Sequence, residues 1–201
     1  MMKQSKINGF VVAGISLLVM AMVLLMGWQW SIHVSQQKAE NYVQQISSLI
    51  PEPQGAVLEE RRDNTMSVFS VEGTNFVGIL EMPKYGSALP VCADWGKVSS
   101  YPSRFSGSVY DRTMKIGCTS QKGQYDFYRE ISVGDSVLFT DMEGNRFSYE
   151  VTDIRYEKHA DQRALTQETA ALTLFIKNVY SFEYIVIFCN PANSIKIPDG
   201  N

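Results

Sequence analysis

Apolar positions fall into two textures along the chain. From Gly9 to Trp28 the sequence GFVVAGISLLVMAMVLLMGW runs twenty residues without a charge. At about 1.5 Å rise per residue a helix of that length spans about 30 Å, the thickness of a bilayer's hydrocarbon core. The pattern therefore predicts a membrane-spanning helix. Lys3 and Lys6 precede the run, and the next Lys or Arg is Lys38. Basic residues collect on the cytoplasmic side, so the N-terminus is expected inside and the remainder outside, with Trp28 and Trp30 at the outer interface. A cleaved signal peptide would carry a shorter apolar region, about 7–15 residues, and a small-x-small cleavage site. The longer run and the bulky Trp-Gln-Trp that ends it favour a retained anchor.

The second texture begins after a polar interval. Residues 31–50, SIHVSQQKAENYVQQISSLI, are Gln-rich with spaced apolar positions and predict a short helical stalk. Pro51-Glu-Pro-Gln-Gly55 ends it, because proline cannot continue a helix and glycine frees the backbone. Residues 56–75 read as a polar connector. Beyond them come short β-branched and aromatic runs bounded by turn residues: FVGILEM (76–82), SVLFTD (136–141), RFSYEVTDIRYE (146–157), ALTLFIKN (171–178) and YIVIFCN (184–190). The second and third flank Glu143-Gly144-Asn145 and predict a hairpin. Many short strands with few helical stretches predict an all-β sandwich or barrel. Residues 121–130 read equally as a short helix or a loop. The organisation expected is an anchor over 1–30, a stalk over 31–55 and a β domain over 56–201.

Composition and charge narrow the chemistry. A net charge of -3 leaves no electrostatic footprint for nucleic acid. The three cysteines, Cys92, Cys118 and Cys189, show no CxxC spacing, so neither a disulfide framework nor a zinc site is indicated. One pair is chemically allowed, and the sequence does not choose it. His33 and His159 lie far apart, and each reads as solvated rather than as a ligand. No metal or other cofactor is expected. Cys189, at the end of an apolar strand, reads as an inert core thiol, and Cys92 as structural. Asp135, after Gly134, reads as a turn aspartate bonding its own backbone. Tyr125, Phe127 and Tyr128 can line a groove, but the usual burial of aromatics favours core and rim packing.

The order of these segments resembles that of the sortases. FVGILEMPKYGSALPV (76–91) is similar to the family's opening IGxLxIPKIGxxLPV. PSRFSGS (102–108) resembles the segment leading to the family histidine, and GQYDFYREISVGDSV (123–137) the gQFxxLxxlxxGDxV stretch that follows it. FSYEVTDI (147–154) resembles YxVtxi, and LTLFIKN (172–178) with YIVIF (184–188) resembles the LTLxTC strand and the arginine-bearing strand after it. The resemblance covers roughly residues 76–189. It implies a mainly β fold, a sortase-like eight-stranded β-barrel behind an N-terminal transmembrane helix and short helical stalk. It also implies an extracytoplasmic location in a Gram-positive-type envelope and work on sorting signals.

Sortases are cysteine transpeptidases, in which a thiolate, an imidazole and an arginine converge on one peptide carbonyl. At the matching positions this chain carries other residues. Lys115-Ile116-Gly117-Cys118 puts Cys118 in the histidine's place, TLFIK puts Lys177 in the cysteine's place, and Tyr184 best matches the arginine. The nearest arginines in sequence, Arg155 and Arg163, precede the LTL strand. Three functions remain open on the sequence. The first is a membrane-anchored, sortase-like protein without transpeptidase activity that binds sorting-signal peptides or surface proteins, or assists their assembly. The second is an active transpeptidase or peptidase using Cys118 as a relocated nucleophile beside Lys177, whose ammonium would favour the thiolate. The third is the same fold in an unrelated structural role.

Overall fold

The computed structural model describes residues 9–51, 64–95, 101–119, 126–158, 170–177 and 183–192. The chain divides into two compact units, residues up to Gln37 and residues from Lys38 onward. A single helix, α1 (Gly9–Leu49), contributes to both. In the first unit, Val11–Ser31 is a 21-residue candidate membrane span with a mean hydropathy of 2.4 and no part of it buried. Leu17, Leu18, Val23 and Leu24 all stand more than 60% exposed. So large a naked apolar surface suits lipid rather than water.

In the second unit the last turns of α1 are amphipathic. Ala39, Tyr42, Val43, Ile46 and Ile50 recur at helical spacing on one stripe. Tyr42, Val43, Ile46 and Ile50 pack against a cluster of Val71, Phe76, Ile79, Cys92 and Met142. Ile46 is completely buried. The Tyr42 ring lies 5.4 Å from Phe76 and meets Tyr101 edge-on, while its hydroxyl donates to the Glu72 carboxylate at 3.0 Å. The helix stops before Pro51, as the sequence predicts.

Nine strands follow among the described residues: β1 (Phe69–Val71), β2 (Thr74–Met82), β3 (Ser87–Cys92), β4 (Ser103–Ser106), β5 (Met114–Thr119), β6 (Ser136–Asp141), β7 (Arg146–Glu157), β8 (Leu172–Lys177) and β9 (Tyr184–Pro191). Eight of them close a barrel in the order β2-β3-β4-β5-β8-β9-β7-β6, with β6 pairing back onto β2. Closure removes the free edges that an open sheet would expose. The eight-stranded barrel read from the resemblance is thus present, and the ninth strand lies outside it.

That extra strand is β1, which falls where the sequence predicted only connector. It pairs antiparallel with the start of β2 across Glu72-Gly73. Both turn residues have positive φ, 51° and 79°. A two-residue hairpin needs this mirror-image turn to match the strand twist, and glycine at the second position adopts it without steric cost. The expected hairpin of β6 and β7 forms, running from Ser136↔Glu150 to Thr140↔Arg146. The buried Asp141 organises its turn by accepting from the backbone N–H of Glu143 and Asn145, each at 2.9 Å. The Tyr110 hydroxyl and the Asn145 amide complete its shell. Of the ambiguous 121–130 stretch, Asp126–Arg129 forms a short 3-10 helix, and residues 121–125 lie outside the described set.

The barrel core draws on the inward face of each strand. Val77, Leu80, Met114, Ile116, Val137, Phe139, Val151, Leu172, Leu174, Ile185 and Ile187 are all buried in one cluster. Phe127 and Tyr128 join it, so these two aromatics pack the core. Tyr125 lies outside the described residues. Asp135 accepts from the backbone N–H of Ser132 at 2.8 Å within its own turn. It also accepts from Lys84 at 2.7 Å and from the Tyr85 hydroxyl at 2.6 Å, which ties this turn to the 3-10 turn Pro83–Tyr85.

Candidate functional site: the outer face of β5, β8 and β9

Side chains alternate between the two faces of a strand, so register decides which residues meet. Parallel pairing sets Lys115, Gly117 and Thr119 of β5 against Thr173, Phe175 and Lys177 of β8. Antiparallel pairing then sets those three against Phe188, Val186 and Tyr184 of β9. On the far side, β7 continues the rows with Asp153, Arg155 and Glu157. Three rows thus cross four strands on the barrel's outer surface. The innermost is Lys115–Thr173–Phe188–Asp153, the middle one Gly117–Phe175–Val186–Arg155, and the outermost Thr119–Lys177–Tyr184–Glu157.

An aromatic cluster covers the middle of this face. Phe175, Val186 and Phe188 are buried, with Phe105 and Ala170 packed against them. Phe105 meets Phe175 edge-on at 5.5 Å, and Trp95 lies 5.1 Å from Phe105 and 5.5 Å from Phe175. Such edge-to-face contacts each add a fraction of a kcal/mol to about 1.5 kcal/mol beyond area burial. Gly117 makes the packing possible, because a Cβ built there would overlap both the Phe175 ring and the Trp95 indole. Trp95 remains 50% exposed and so forms the outer surface of the cluster. At the far edge the Arg155 guanidinium sits 4.9 Å over the Phe188 ring while pairing with Asp153 at 2.8 Å.

The three residues at the sequence-matched positions fall on two different faces. Lys177 is exposed, and its ammonium lies 6.0 Å from the centre of the Tyr184 ring, directly across the β8–β9 ladder. Cys118 belongs to the other alternation. It shares the face of Met114 and Ile116, pairs with Ile176, and packs half-buried against the barrel core. The β5 residue paired with Lys177 is Thr119. Sheet parity thus opposes a direct Cys118–Lys177 proton transfer, which needs both groups within hydrogen-bond reach on one side.

The other two thiols are buried core groups. Cys189 is fully buried, and burial pushes its pKa up to about 12. Cys92 is likewise pushed up to about 12, chiefly by burial, against a lowering hydrogen bond with Ser103. Both are therefore protonated at neutral pH and weak nucleophiles. His33 is exposed in the first unit, while His159 and Arg163 lie outside the described residues. No group of three or more His, Cys, Asp or Glu able to hold a metal occurs among the described residues.

Sequence reading missed Trp95, Phe105 and Gly117 as parts of this face, because they come from separated segments with no shared periodicity. The signal that existed was in β8. Leu172, Leu174 and Ile176 alternate with Thr173, Phe175 and Lys177, so Phe175 is a large apolar residue on the face opposite the strand's apolar set.

No protein-family model and no curated protein matches the sequence. Solved structures do match the fold. Sortase C1 from Streptococcus agalactiae superposes with a TM-score of 0.51 at 18% identity, over 61% of this chain and 70% of that one. A Clostridium perfringens sortase D5 transpeptidase gives 0.52 at 12% identity, over 79% and 98%. Sortase C-3 from Streptococcus pneumoniae gives 0.51 at 15%, over 80% and 82%. The closed eight-stranded barrel, its strand order and these likenesses together identify a sortase-like fold, in a chain that also carries an N-terminal candidate membrane span.

Proposed function

We propose that this protein is a membrane-anchored, extracytoplasmic sortase-like factor. It binds an extended peptide or surface protein on the outer face of β5, β8 and β9 without performing transpeptidation. The observation that carries the reading is the Lys177–Tyr184 pair on that face. These are the positions where the sortase pattern has cysteine and arginine, and neither replacement supplies a thiolate or a bidentate oxyanion donor. The aromatic surface of Trp95 and Phe105 beside them still offers a platform for an extended chain. Lys3 and Lys6 ahead of the candidate span support an inside N-terminus, and hence a barrel outside.

The alternative, catalysis by Cys118 with Lys177, is less well supported, because the two lie on opposite faces of the β5–β8 ladder. Binding is tested by fluorescence anisotropy, with the full chain in nanodiscs and a panel of labelled sorting-motif peptides. The expected result is saturable binding that weakens at least about fivefold in Trp95→Ala, since buried aromatic anchors dominate such interfaces. Binding that is absent, or indifferent to Trp95, would contradict the assignment of this face.

A further inference from the structure

Lys177 sits in the outermost row of the face, between Thr119 and Tyr184. It is exposed, and no carboxylate forms an ion pair with it among the described residues. Of the other two cations in these rows, Arg155 is already neutralised by Asp153 at 2.8 Å, and Lys115 stands in the innermost row, two rows from Lys177. The nearest charge along the Lys177 row is Glu157, two strands away beyond Tyr184. At about 4.8 Å per strand that is roughly 10 Å, close to a Debye length at physiological salt. The row therefore holds an ammonium, flanked by a half-buried Tyr184 and adjoining the aromatic cluster that Trp95 caps.

We infer that the peptide held on this face carries a carboxylate, as a C-terminus or an Asp or Glu side chain, and that Lys177 receives it while neighbouring apolar residues lie on Trp95. The inference rests on the peptide-binding reading above and specifies its ligand. Charge complementarity selects this occupant: a peptide that covers Lys177 without a counter-charge would desolvate the ammonium uncompensated, whereas an acidic one exchanges water for a charge-assisted hydrogen bond. The cation–π contact with Tyr184 holds the lysine at the rim without satisfying its three donors.

The test uses the full chain in nanodiscs of neutral phosphatidylcholine and two randomised N-acetyl octapeptide libraries. One library has free C-termini with Asp and Glu allowed; the other has amidated C-termini with Asn and Gln in their place. Affinity selection followed by anisotropy is expected to retain sequences from the acidic library. Amidation of the decisive carboxylate should weaken them about fivefold at low salt, and less at high salt. Lys177→Gln should abolish that preference, while Lys177→Arg keeps it. Equal retention from both libraries, or a preference that survives Lys177→Gln, overturns the carboxylate assignment and leaves peptide binding standing. Retention from neither library overturns both readings.

Discussion

Single buried polar groups in this barrel show how much depends on a partner. Asp141 is 2% exposed and accepts four hydrogen bonds, so its charge is supported. Thr173 is 1% exposed, and its hydroxyl has no partner. An orphaned buried hydroxyl costs about 1 kcal/mol or more, so Thr173→Val, which keeps the shape, should raise stability by about 1 kcal/mol in chemical denaturation. A loss of stability would mean the hydroxyl is satisfied. Asp135 gives a pH-dependent case. Partial burial pushes its carboxyl up, but the bonds from Lys84, Tyr85 and the Ser132 N–H outweigh this and hold it below the usual carboxylate range. A depressed folded pKa contributes stability that is present above the unfolded value, near 4, and is lost as pH falls through the folded one. The Tm gap between wild type and Asp135→Asn should therefore be largest near neutrality and shrink below about pH 4. A gap unchanged between pH 7 and pH 3 would mean that the Asp135 carboxylate does not stabilise the fold through these bonds.

At the level of elements, some features were plain in the residues and others were not, and the reasons are physical. The β6–β7 hairpin announced itself through alternation around a Gly-Asn turn. The β1–β2 hairpin did not, because Glu72 takes the left-handed position that turn signals usually assign to Asn or Asp. Strand β8 read as simply buried, since Phe175 and Leu174 are apolar on opposite faces. Only register separates its outward set from its inward one, and the same parity places Cys118 away from Lys177. The partners of Phe175 come from β4 and from the residue three beyond β3, contacts that no local pattern encodes. Gly117 is the point where these elements touch. Gly117→Ala should displace the Phe175 and Trp95 rings and cost about 1–3 kcal/mol through overpacking. Its signature would be a shifted Trp95 emission in a Trp28→Phe/Trp30→Phe background. An unchanged spectrum and unchanged stability would mean the two rings do not rest on Gly117.

For the whole molecule, two properties combine: an apolar helix fit for a bilayer and a closed barrel of sortase-like fold. The barrel's architecture follows from inward alternation, strand pairing and closure, none of which requires a catalytic residue, so the fold can persist while the site changes. We propose that the outer face binds peptide but does not cut or join it. Intact-mass spectrometry measures this directly, with the full chain in nanodiscs incubated with a sorting-motif peptide and a separate amine acceptor. Unmodified protein, uncleaved peptide and no joined product are expected, under conditions where anisotropy shows binding. A covalent peptide adduct on Cys118, or a joined product that disappears in Cys118→Ala, would contradict it.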